Sequence, residues 1–118
     1  MGRYEQAEML AALWRLGQGG RMPLDGRLDR ALEAVRDDLP APLDRLSFGM
    51  TAVGTRCYEL ADVVLAGQDA MLFEADGRSF THASVKLDRN GAREIAVGAG
   101  VSTLEGERIG GLLVAATG

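Results

Sequence analysis

The scarcities of this chain narrow its chemistry first. A single cysteine, Cys57, excludes an intramolecular disulfide and any multi-cysteine metal cluster. A single histidine, His82, excludes a metal site built on a histidine pair within one chain. No metal or cofactor is therefore expected. Lys86 is the only lysine among 13 basic side chains, a bias that, with the abundance of alanine and glycine, points to a GC-rich bacterial coding sequence. No apolar run approaches the ~18 residues a membrane span requires. Glu5 and Glu8 interrupt the N-terminal apolar residues, so no signal peptide is read there. A soluble, cytoplasmic protein in a reducing compartment is expected. Gly98-Ala99-Gly100 lacks the lysine and the strand–turn–helix setting of a phosphate loop. A net charge of −4 and a pI near 4.9 speak against nucleic acid as a partner.

What is present suits one folded domain over residues 1–118. The chain is 47% hydrophobic and 25% charged, values of an ordinary globular protein with a core. Its C-terminal part, 70–117, holds three X-Gly pairs, Asp76-Gly77, Asn90-Gly91 and Glu105-Gly106. Between them, Ala83, Val85 and Leu87 alternate with His82, Ser84 and Lys86, and Ile95, Val97 and Ala99 alternate with Glu94, Ala96, Gly98 and Gly100. Period-two alternation marks a strand with one buried face. A three-residue loop at Arg89-Asn90-Gly91 would pair Val85 with Ile95 and Lys86 with Glu94, with Gly91 in a left-handed bulge. The pattern predicts a four-stranded antiparallel meander, with Gly98 and Gly100 bending its third strand.

The first part, 1–66, reads as mainly helical cover for that sheet. Ala7, Leu10, Ala11 and Trp14 share a stripe on a helix over 4–16 that Gly17 ends. A helix so broadly apolar is either well buried or shared with a second subunit. Leu28, Ala31, Leu32 and Val35 define an amphipathic helix over 27–38, with Asp25 as its expected cap. Residues 43–53 fit both a strand and a helix. Cys57, Leu60, Ala61, Val64 and Leu65 suit a third helix over 56–66, capped by Thr55 and stopped by Gly67, with Cys57 as a small buried hydrophobe.

The fold class expected is α+β, with N-terminal helices packed on a curved antiparallel meander. That order is similar to the small cone-shaped folds of the nuclear-transport-factor-2-like type, a likeness of topology that fixes no function. The foremost functional expectation is a non-enzymatic accessory or protein-interaction domain, acting as a homodimer. Trp14, Leu10 and Phe80 are its candidate interface residues. The alternative is a small-molecule-binding domain with a pocket between sheet and helices, working as an acid–base isomerase or lyase. Asp62, His82 and Tyr58 are the candidate catalytic groups for that chemistry.

Overall fold

The computed structural model describes residues 2–76 and 80–118. Its axis is the first helix, α1 (Arg3–Leu16), apolar around most of its circumference. Such a helix is stable only when enclosed. Here α3 (Leu60–Asp69), α4 (Arg89–Gly98) and α5 (Thr103–Ala116) pack around it. Leu10, Leu13 and Trp14 are buried among them, and each contributes roughly 1.5–3 kcal/mol of burial. The one polar side chain buried in α1, Gln6, donates to the Pro42 carbonyl at 3.2 Å and accepts from Arg3 at 3.0 Å. Trp14 Nε1 donates to the Gly20 carbonyl at 2.7 Å.

The crossing of α1 and α5 depends on glycine. A Cβ on Gly110 would lie 2.0 Å from the Leu13 carbonyl oxygen, and one on Gly17 would lie 2.3 Å from the Gly110 carbonyl carbon. Only bare backbones approach so closely.

Two antiparallel sheets lie beside the helices. The larger has the order β1 (Met22–Pro23), β5 (His82–Val85), β4 (Phe73–Ala75). Met22 pairs with Ala83 and Phe73 with Val85. Pro23 sits on an edge strand, the place in a sheet that tolerates a missing N–H. Arg15 of α1 donates to the Val85 and Leu87 carbonyls at 2.7 and 2.8 Å, fastening the end of β5 to the core. The smaller sheet is a hairpin, β2 (Phe48–Thr51) and β3 (Gly54–Cys57), closed by Ala52-Val53. Gly54, with φ 114°, supplies the backbone conformation that this tight reversal needs. The hairpin is tied to α2 (Arg27–Ala34) by the Cys57 amide, which donates to Asp29 at 2.7 Å, and by the Thr55 hydroxyl, 3.3 Å from Glu33.

The α+β class and the antiparallel sheets match the sequence pattern; the four-stranded meander does not form. Its first two expected strands are β4 and β5, and its last two are α4 and α5. Val85 therefore faces Phe73 rather than Ile95. The physical reason lies at two helix caps. Asp88 accepts from the Gly91 amide at 2.7 Å, so Asn90-Gly91 is a first helical turn and not a hairpin loop. Ser102 accepts from the Glu105 amide at 3.1 Å, which makes Glu105-Gly106 the start of α5. The likeness to cone-shaped folds disappears with the meander. Gly77, of the remaining expected turn, lies outside the described residues.

Smaller differences follow the same logic. Thr55 and Cys57 belong to β3, and the third helix begins later, at Leu60. It runs through Gly67 because the Phe73 ring sits against that glycine; a Cβ there would meet the ring at 2.2 Å. The helix ends with Met71 in the left-handed region at φ 62°, where the Leu72 amide returns to the Gly67 carbonyl at 2.7 Å. Of the ambiguous stretch, Leu43–Arg45 is a 3-10 turn and Phe48–Thr51 a strand. No helix among the described residues is long and apolar enough to cross a membrane.

Candidate functional site

One flank of α3 is left without a helical neighbour. Leu60, Val63 and Gly67 are buried, while Ala61, Val64, Leu65 and Gln68 line an open groove. The hairpin forms the opposite wall through Thr51, Val53, Thr55 and Arg56, and the entry to α2 closes one end with Leu24, Asp25 and Asp29. The cavity measures about 750 Å³. Its apolar rim stands in solvent: Val53 is 97% exposed, Leu65 58% and Phe80 59%. Val53 is there because a two-residue turn leaves its side chain nowhere to pack. Phe80 holds φ 51°, a conformation that bulky residues rarely adopt.

The polar groups of the groove are largely engaged. Arg27 grips Asp25 through Nε at 2.9 Å and Nη2 at 3.0 Å, and this pairing holds the Asp25 carboxyl down to about 2. The same Arg27 Nη2 lies 3.2 Å from His82 Nε2. A guanidinium only donates, so Nε2 accepts and the ring proton sits on Nδ1, 3.1 Å from the Thr81 hydroxyl. Asp29 spends one oxygen on the Cys57 amide. The Cys57 thiol is buried, and desolvation pushes it up to about 12, which keeps it protonated and unreactive at neutral pH. Arg56 and Gln68 complete the polar lining.

Below the groove, Glu59 anchors the base of the hairpin by accepting from both the amide and the hydroxyl of Ser47. Burial raises the Glu59 carboxyl, but those hydrogen bonds outweigh it and leave the group below its ordinary value.

The residues singled out in the sequence are scattered. Asp62 is exposed on α3, 3.9 Å from Arg3. His82 is half-buried on β5 against Arg27. Tyr58 lies with its ring over Gly49 on the hairpin. None of the three lines the groove, and they are not gathered into one site. Trp14 and Leu10 are enclosed by this chain's own helices. Phe80 alone of the six stands at the groove. Leu65 was legible as part of the third-helix stripe and Val53 as an apolar residue of the ambiguous stretch 43–53, but nothing in the sequence marked them, or Arg56 and Asp29, as lining a groove. Among the described residues, no group of three or more His, Cys, Asp or Glu side chains is placed to hold a metal ion.

No protein-family model matches this chain, and no curated protein or solved structure is significantly similar to it.

Proposed function

We propose that the protein is a non-enzymatic interaction module whose groove between α3 and the β2–β3 hairpin takes an apolar segment of a partner protein. The observation that carries this is the solvated rim. Val53, Leu65 and Phe80 line the groove yet stand 97%, 58% and 59% exposed, and a contiguous solvated apolar rim of this kind suits the broad contact that a polypeptide segment makes. The polar groups support the same reading. The carboxylates inside the groove, Asp25 and Asp29, are engaged within the fold, and acid–base catalysis needs groups free to meet a substrate. The homodimer suggested by an apolar first helix loses its motive, because α1 is spent within the chain's own core.

Selection of displayed random peptides on the immobilised protein tests the proposal. Peptides with two or three spaced large apolar residues are expected to enrich on the wild type and not on a folded Leu65→Asp variant. Equal enrichment on both would overturn it.

A second reading has one observation in its favour. A cavity of about 750 Å³ falls within the range of small-ligand sites, roughly 300–1,000 Å³. In that reading the module binds an apolar small molecule. A thermal-shift screen separates the two, since a ligand bound to the native state raises Tm by mass action.

A further inference from the structure

Resting on the groove as a protein-docking site, we infer that its occupant is a basic amphipathic helix: an apolar stripe lying along α3, flanked by arginine or lysine.

The shape of the site favours a helix. Ala61, Val64, Leu65 and Gln68 recur at helical spacing along one flank of α3, a ridge of roughly 10 Å. A neighbouring helix fills such a flank by setting its own ridge alongside, at an axial distance of roughly 8–10 Å. An extended segment would need unpaired backbone groups in the wall. In a two-stranded hairpin only the inward groups are in the ladder; of the outward ones on β3, whose outer edge lies toward α2, the Cys57 amide is already taken by Asp29. A helix satisfies its own backbone and asks only for apolar contact.

The charge of the site favours basic flanks. From Cys57 to Asp76 the chain carries five carboxylates and not one basic residue; Asp62, Glu74 and Asp76 meet arginine or lysine from elsewhere, and among the described residues Glu59 and Asp69 stand outside such ion pairs. Two of them, Asp62 and Asp69, are exposed on α3 itself. Asp62 meets Arg3 at 3.9 Å in an exposed pair, whereas Asp69 stands at the C-terminal end of α3, where the helix dipole is already negative. On the facing side Asp25 is paired with Arg27, whereas Asp29 bonds a neutral amide. Among the described residues, Arg56 is the one cation in the lining. With Asp25 set against Arg27 and Asp62 against Arg3, Asp29 and Asp69 against Arg56 leave the described surroundings of the apolar stripe net negative by one charge, in keeping with the −4 of the whole chain. Complementary charge raises association rates and excludes acidic competitors.

Three designed helices of about 18 residues, sharing one leucine stripe and differing only in a lysine/arginine, serine/glutamine or glutamate polar face, provide the test. Binding is read by fluorescence anisotropy at about 50 and 300 mM salt. The basic helix is expected to bind about tenfold more tightly than the neutral one, the advantage shrinking at high salt. Asp62→Lys with Asp69→Lys, both exposed and checked by circular dichroism, should remove that advantage. If all three helices bind equally and Leu65→Asp abolishes binding, the docking site stands and the basic partner is overturned. If none binds, both fall. A dimer in sedimentation that Leu65→Asp dissolves would also overturn the inference, since the groove would then belong to a second copy.

Discussion

The crossing of α1 with α5 and the flank of α3 are built from similar side chains and end in opposite states. At the crossing, Gly17 and Gly110 remove every Cβ between the helices, and the apolar residues around them are almost wholly withdrawn from water. Along α3, Val64 and Leu65 are just as apolar, but the opposing wall is a two-stranded hairpin held off by the entry to α2. Apolarity alone does not decide burial. What decides it is whether the element opposite can come close, and close approach here is bought with glycine. A tight region and an open one therefore coexist in one small chain, and mutation should tell them apart.

The largest effect is expected at the tight region. Trp14→Ala removes the biggest fully buried side chain and leaves the Gly20 carbonyl without its donor; a loss of about 3–5 kcal/mol in urea unfolding is expected. Gly110→Ala should follow at about 2–3 kcal/mol. That direction is informative, because alanine normally gains about 1 kcal/mol over glycine within a helix. A stabilised Gly110→Ala variant would mean that the helices do not touch backbone to backbone.

The next effect concerns the helices that the sequence pattern disguised. Asp88→Ala and Ser102→Ala should each cost about 1 kcal/mol and lower the helical signal in circular dichroism. Were α4 and α5 strands, neither change would matter. Both caps could have been read: Ser102 and Glu105 have the spacing of a capping box, and Ala92/Ala96 and Gly106/Ile109/Gly110/Leu113 keep helical intervals. They were masked because Ile95, Val97 and Ala99 also alternate, and because Gly106, Gly110 and Gly111 make α5 a poor helix by propensity. Packing against α1 overrides that propensity.

The helices α1 and α2 were legible because their apolar stripes are clean, but the bounds of α2 were not: Gly26 rather than Asp25 is its cap, and it gives way after Ala34 to a 3-10 turn at Arg36–Asp38. The start of α3 was not, because Cys57 continues its stripe while belonging to β3. The groove was legible only at Phe80. It arises from a hairpin folding back on α2 through Asp29 and Glu33, contacts across more than twenty residues that no local pattern encodes.

Acid should loosen the open region before the tight one. The folded Glu59 carboxyl lies below its ordinary value, so its contribution is complete above the unfolded value, near 4.5, and is lost as pH falls through the lower folded one. Amide exchange at Ser47 is expected to accelerate over that window while the α1 amides stay protected. Glu59→Gln should flatten the dependence. Simultaneous loss of protection in both regions would mean that the hairpin and the core open as one unit.

The smallest effect on stability is expected at the groove rim. Leu65→Ser replaces a side chain that is already 58% exposed and whose neighbours across the groove do not close on it. Its unfolding free energy should stay within about 0.5 kcal/mol of wild type, as for other surface positions. The same substitution at Leu10, fully buried in α1, should prevent folding. The pair isolates what distinguishes the regions, since both leucines sit mid-helix in apolar stripes. If Leu65→Ser cost about 2 kcal/mol or more, Leu65 would be a core residue, the hairpin would rest on α3, and the groove would have no free wall to offer a partner.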